Sequence, residues 1–175
     1  GGKVVTARRG AMRFQISAHG KPSHSGLNHQ EGQSAIREMA VQILELEKMT
    51  DYEKGITANV GLINGGTGCN VVPEHCRIEL DVRINSLTQA KNIENIINNL
   101  KVNNENVSLN VTGGLNRPPY CKDEGIISLF NHAKNLAFCY PPGAGGVSPF
   151  FFVQSFFFSF PPSWVLPVAT ALLIG

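Results

Sequence analysis

Three histidines recur every five residues in SAHGKPSHSGLNH, residues 17–29: His19, His24 and His29. An imidazole can ligate a metal, move a proton, or donate an N–H to developing negative charge. Zinc takes three or four ligands at roughly 2.0–2.3 Å, and its sites commonly recruit a carboxylate or thiolate. No Asp, Glu or Cys lies within this stretch, and a spacing of five does not share one helix face. The three are therefore not expected to form a metal centre together. His75 beside Cys76 adds no ligand pair, because neighbours in a strand point to opposite faces.

Two other patterns carry possible chemistry. The glycines of GGTG, residues 65–68, are followed by neither Lys-Ser nor Lys-Thr, and a strand comes next. They read as a turn and not as a phosphate cradle. Arg83 falls on the outward side of a strand. It can pair with a neighbouring acid such as Asp81, or grip a ligand carboxylate through two parallel hydrogen bonds. Residue types leave both open.

The elements that must position these groups follow from periodicity. Met12, Phe14, Ile16 and Ala18 alternate with Arg13, Gln15 and Ser17, which predicts a strand with one buried face. After the histidine loop the period changes. Ile36, Met39, Ala40, Ile43 and Leu44 predict a helix with that stripe turned inward, and Asn28-x-x-Glu31 resembles a capping box at its start. ITANVGLI predicts a second strand with Ala58, Val60 and Leu62 on one side. HCRIELDVRI predicts a third with Cys76, Ile78, Leu80, Val82 and Ile84 inward. A second helix has Ile93, Ile96, Ile97 and Leu100 as its stripe and Ser86 or Thr88 as its cap. Val107, Leu109 and Val111 mark a fourth strand. Strand, helix, strand, strand, helix, strand is the order of an α+β, ferredoxin-like βαββαβ sandwich. It has a four-stranded antiparallel sheet with two helices on one face, over residues 11–113.

Beyond it, NRPPY reads as a linker. DEGIISLFNHAKNLAF reads as a further helix with Ile126, Ile127, Phe130, Ala133 and Leu136 apolar. That helix suggests a fragment of a second α/β domain, with linker and helix spanning 114–146. The chain changes character again at 147–175: no formal charge lies beyond Lys134, and seven of ten phenylalanines fall between Phe150 and Phe160. The tail is long enough to cross a bilayer, but Pro149, Pro161, Pro162 and Pro167 interrupt it and no basic flank orients it. Membrane insertion is not expected.

The totals exclude some classes. Apolar content of 42% supplies a core, and a net charge of +2 gives no reason to expect nucleic acid as a partner. Four cysteines without a C-x-x-C pair fit free thiols in a reducing cytoplasm.

Three blocks in order now carry a resemblance: G-x-x-S-H-S-G at 20–26, G-G-x-x-x-N-V-V-P at 65–73, and D-V-R at 81–83. Over roughly residues 5–112 they resemble the dimerisation (lid) domain of zinc metallopeptidase family M twenty. Aminoacylases, glutamate carboxypeptidases, acetylornithine deacetylase and succinyl-diaminopimelate desuccinylase are among its members. The resemblance implies a four-stranded, two-helix lid and a homodimer. It also implies a zinc-dependent amidohydrolase or peptidase acting on N-acyl amino acids or small peptides. By the same resemblance His24 reaches into the partner subunit's active site to hold an oxyanion, and Asn70 and Arg83 bind substrate, Arg83 through its carboxylate. His19 and His29 match nothing catalytic.

The family's zinc ligands sit on an H-x-D segment, a Glu-Glu pair and a distant histidine of a separate catalytic domain, none of which occurs here. GGVSP at 145–149 resembles its G-G-x-S-D segment with Pro149 in place of aspartate. Residues 1–10 are then expected to link from a catalytic domain that is missing, and this chain alone is expected to bind no catalytic zinc and to be inactive. The competing reading is a stand-alone ferredoxin-like module that binds a small molecule or regulates without catalysis.

Overall fold

The computed structural model describes residues 6–139, the side chains of 136–139 excepted. The uncharged tail at 147–175 and the GGVSP segment lie outside the described residues, as do the first five positions. The described residues fall into two compact units: Ala7–Cys121, and a second to which Lys122 and the following helix belong.

The larger unit is built on strands β1 (Gly10–His19), β3 (Thr57–Gly65), β5 (His75–Ile84) and β6 (Ser108–Arg117). A short pair, β2 (Ser23–His24) and β4 (Val71–Val72), stands apart from them. The helices are α1 (Ala35–Glu47) and α2 (Leu87–Asn98). The main sheet has the order β3-β5-β1-β6, antiparallel throughout. With both helices packed against it, this is the expected ferredoxin-like α+β sandwich.

Alternation explains the core. Met12, Phe14, Ile16 and Ala18 of β1 meet Val82, Leu80, Ile78 and Cys76 of β5 across the ladder, and all are buried. Each fully buried large aliphatic chain contributes roughly 1.5–3 kcal/mol. Ala35, Met39 and Leu46 of α1, and Ala90, Ile93 and Ile97 of α2, close the core from the helical side. Ser86 caps α2: its hydroxyl accepts from Gln89 N at 3.2 Å, while the Gln89 side chain accepts from Ser86 N at 3.1 Å.

Several local expectations need correction. Asn28 does not cap α1. It precedes a three-residue 3-10 turn, His29–Glu31, and makes no capping bond; Ser34 caps the helix by accepting from Arg37 N. Gly32 separates the two because there the chain is pressed against the short strands: a Cβ on Gly32 would lie 2.3 Å from Ser23 Oγ. On α1 the inward face carries Glu38 and Gln42 beside Met39, while Ile36, Ala40 and Leu44 are exposed. The apolar stripe misled because Glu38 has partners on another element that satisfy it. Leu62 is also turned outward. A bulge at Gly61 makes Val60 pair with Leu80 but Leu62 with Glu79, which flips Leu62 to the open face. Ile96 of α2 is half exposed.

Strand β6 also runs further than its apolar residues suggest. Gly113 and Gly114 adopt φ of +116° and +150°, and a Cβ on Gly113 would lie 2.2 Å from Arg13 O. Glycine there lets the strand continue against β1 through Asn116 and Arg117, residues assigned above to the NRPPY linker, and Tyr120 then bridges to Arg8.

In the other unit, α3 spans Glu124–Cys139. Asp123 starts it by accepting from Ile126 N at 2.8 Å. Among the described residues no helix is long and apolar enough to cross a membrane.

Candidate active site ribbon

Between β1 and α1 the chain leaves the main sheet, and it does so again between β3 and β5. These two excursions meet as the β2/β4 ribbon, with Ser23 opposite Val72 and His24 opposite Val71. Backbone bonds hold it on all sides. Gly20 N donates to Glu74 O at 2.7 Å, Ser25 N to Asn70 O at 2.9 Å, and Ala35 N to Pro73 O at 2.8 Å. Lys21 and Gln33 exchange bonds of 3.0 and 2.8 Å. The Ser23 hydroxyl is buried under this layer without a hydrogen-bond partner.

His24 is exposed at the ribbon's end, yet its ring is not free to choose a tautomer. Its Nδ1 accepts from Gly26 N at 3.1 Å and from Leu27 N at 3.3 Å, inside a turn closed by Asn28 N donating to His24 O at 3.0 Å. A nitrogen that accepts from two N–H groups carries no proton in the neutral ring, so the proton sits on Nε2. Nε2 makes no hydrogen bond among the described residues. The ring is therefore a held donor on an exposed turn, which suits an oxyanion.

Asn70 belongs to the same ribbon. It lies in the tight turn that Val71 N closes onto Gly68 O at 3.1 Å, and it is exposed. Gly66, with φ of +79°, turns the chain out of β3. The GGTG stretch is thus a connection between strands, as its residue types suggest.

Arg83 is elsewhere. It lies near the far end of β5, opposite Ala11 and Thr57, with its Nε donating to Asp81 Oδ2 at 2.7 Å. Eight residues separate it from His75 at the ribbon end, roughly 26 Å of strand at about 3.3 Å per residue. The structure thus brings His24 and Asn70 together and leaves Arg83 apart. His29 lies in the 3-10 turn.

One pairing was not legible in the sequence. His19, the last residue of β1, faces His75, the first of β5, with Nδ1 to Nδ1 at 2.9 Å and ring planes 79° apart. The signal existed only in the strand register, which no local pattern supplies. Among the described residues no group of three or more His, Cys, Asp or Glu side chains is arranged to hold a metal ion. The described residues therefore offer no ligand set for the catalytic zinc that the resemblance implies. Cys76 is buried, and that burial pushes its thiol above the ordinary range; Cys69 and Cys121 are exposed.

The sequence profile of the peptidase dimerisation domain matches residues 6–106, more than half of the chain. A probable carboxypeptidase of Uncinocarpus reesii is 32% identical over 103 residues, covering 51% of this chain and 23% of that protein. One of Arthroderma benhamiae is 30% identical over 131 residues, covering 66% and 28%. The chain thus spans about a quarter of the length of these relatives. Among solved structures, an amidase of the hydantoinase/carbamoylase family from Burkholderia phymatum matches with a TM-score of 0.59 at 21% identity, over 83% of this chain and 38% of that one. The aminopeptidase PepT of Bacillus cereus matches at 0.55 and 21%, over 84% and 42%. At these identities the structures speak for the fold alone.

Proposed function

The chain belongs to the peptidase dimerisation-domain family, the lid of metallopeptidase family M twenty, and on that premise we propose that it completes the active site of a metal-dependent amidohydrolase or peptidase. The substrate class is an N-acyl amino acid or a small peptide. The lid supplies the contact between two copies and, across it, His24 as the donor to the oxyanion formed when water adds to an amide carbonyl. Asn70 and Arg83 hold the substrate, Arg83 through a carboxylate.

The observation that carries this reading is the pair of backbone hydrogen bonds to His24 Nδ1. Two backbone N–H groups occupy Nδ1, so Nε2–H is presented without reorganisation, and a donor fixed in that way is worth about 3 kcal/mol or more of barrier. The position of Arg83 supports delivery to a neighbour. An extended dipeptide spans about 7 Å at roughly 3.3–3.6 Å per residue, so no such substrate touches His24 and Arg83 of one chain. A site formed by His24 and Asn70 of one copy with Arg83 of another removes the difficulty.

The exposed apolar edge of the sheet supports a contact with a second copy. Strand β3 is an edge of the sheet, and it carries exposed Leu62 and Ile63. The neighbouring helix α1 adds exposed Ile36 and Leu44. An apolar edge strand is a template for antiparallel pairing with its own copy about a two-fold axis.

The test is to substitute residues 7–121 for the lid of an active family hydrolase. In that chimera His24→Ala is expected to lower kcat at least tenfold with metal content unchanged. Undiminished turnover would end the proposal. Loss of the bound metal would instead identify His24 as structural.

A further inference from the structure

We propose that Arg83 and Arg117 form a paired anion site on the open face of the sheet, shaped for a ligand with two carboxylates. The step from that site to the substrate rests on the reading of Arg83 given above; the site itself does not. The substrate class then narrows to an N-acyl acidic amino acid, or a small peptide ending in one.

Strand register brings the two guanidiniums to one level. Ala11 of β1 stands opposite Arg83 of β5 on one side and opposite Arg117 of β6 on the other. Residues directly opposite each other share a face of the sheet. Met12 and Ile84 point into the core, so their neighbours Ala11 and Arg83 point away from it. Ala11 is buried yet stands outside the core cluster, a short floor beneath its neighbours on the open face. With strands about 4.8 Å apart, the roots of the two arginines are separated by roughly 10 Å.

Arg117 reaches this face only through an irregularity. Leu109 and Val111 pack against the core, and Leu115 keeps their side of the strand, opposite Met12. Simple alternation would put Arg117 with them. The register instead shifts between Ala11 and Met12, with Asn116 as the extra residue, and Arg117 falls opposite Ala11. Bulges of this kind re-aim side chains beside functional sites.

The charges on this patch are not balanced. Asp81 serves two cations: its Oδ2 accepts from Arg83 Nε at 2.7 Å, and its Oδ1 lies 3.8 Å from Arg13 Nε. Arg83 is engaged through Nε, which leaves its two terminal nitrogens for a ligand. The Arg117 side chain makes no ion pair or hydrogen bond among the described residues. Thr57 and Asn59, opposite Arg83 and Asp81 on β3, are uncharged, as is Gly114 opposite Arg13. Glu79, the next acid along β5, is paired with Arg77. Three guanidiniums therefore share one carboxylate, and an anion completes the set. A guanidinium grips a carboxylate by two parallel hydrogen bonds, so two of them on either side of Ala11 select a dicarboxylate over a monocarboxylate.

The first test uses the full chain and two probes, glutarate and butyrate, followed by NMR of the arginine Nε–H groups. Glutarate should bind at least tenfold more tightly than butyrate and shift the Arg83 and Arg117 signals together. Arg117→Gln should abolish that preference. Equal affinity for the two probes, no binding of glutarate, or a preference that survives Arg117→Gln overturns the site. The comparison in the unmodified chain decides the matter even where the variant fails to fold. In the chimera, the ratio of kcat/KM for an N-acylglutamate over the matching N-acylglutamine should fall at least tenfold in Arg117→Gln. If Arg83→Ala raises KM there but Arg117→Gln leaves the ratio unchanged, the substrate assignment of Arg117 falls and the reading of Arg83 stands. If the chain prefers glutarate as expected but Arg83→Ala leaves KM of the chimera unchanged, the anion site stands and the substrate-binding reading of Arg83 falls.

Discussion

Glu38 on α1 accepts the backbone N–H of Asn103 at 2.8 Å across 65 residues of chain. The same carboxylate accepts from Asn104 N at 3.0 Å and from Gln42 Nε2 at 2.8 Å. Gln42 in turn donates to Lys101 O at 2.9 Å. A buried acid thus pins the connection between α2 and β6 onto the first helix. Glu38→Ala leaves those donors without their acceptor. Hydrogen bonds to charged groups run roughly 1.5–3 kcal/mol each, so the expected loss of stability is about 3 kcal/mol or more. A lowered urea midpoint with an unchanged slope checks it. A loss below about 0.5 kcal/mol, typical of surface changes, would show that the network is idle.

The separation of Arg83 from His24 gives a prediction about mixed dimers. In the chimeric enzyme, His24→Ala and Arg83→Ala chains should each be nearly inactive alone. Mixed together they form dimers in which one of two sites has both side chains intact. With random two-fold pairing about a quarter of wild-type activity should return. If both residues serve a site from the same chain, mixing restores nothing.

The exposed apolar strip predicts the assembly state. Leu62→Asp combined with Leu44→Asp places charge on the β3 edge and on α1, where a second copy would bury it. The mass measured by light scattering should fall from that of two chains to that of one, with the fold retained by circular dichroism. A mass still corresponding to two chains would place the contact on another surface.

The thiols should differ in reactivity. Cys69 and Cys121 are exposed, whereas Cys76 is buried between strands. Iodoacetamide followed by peptide mass spectrometry should label the first two rapidly and Cys76 only as the protein unfolds. Burial raises the Cys76 thiol above its unfolded value. Stability from keeping it neutral is therefore intact below the ordinary thiol range, and declines as pH rises from there towards the raised value. Cys76→Ala should flatten that alkaline decline. An unchanged alkaline profile would assign it to other groups.

Local pattern was enough for most of the framework. Alternation in HCRIELDVRI marked every buried residue of β5, the order of strands and helices led to the sheet that is observed, and of the two caps offered, Ser86 and Thr88, the structure uses Ser86. These properties are legible because they depend on a residue and its near neighbours. Three motifs in series carried the family for the same reason. What only tertiary structure decided were relations between distant segments. The bulge at Gly61 turned Leu62 outward, and loop amides around Asn103 drew Glu38 inward where an apolar stripe pointed to Ile36 and Leu44. Strand register set His19 against His75, and the length of β5 parted Arg83 from His24. Periodicity records which face of an element is apolar, but the partner that a polar group finds on another element is settled only when the chain closes on itself.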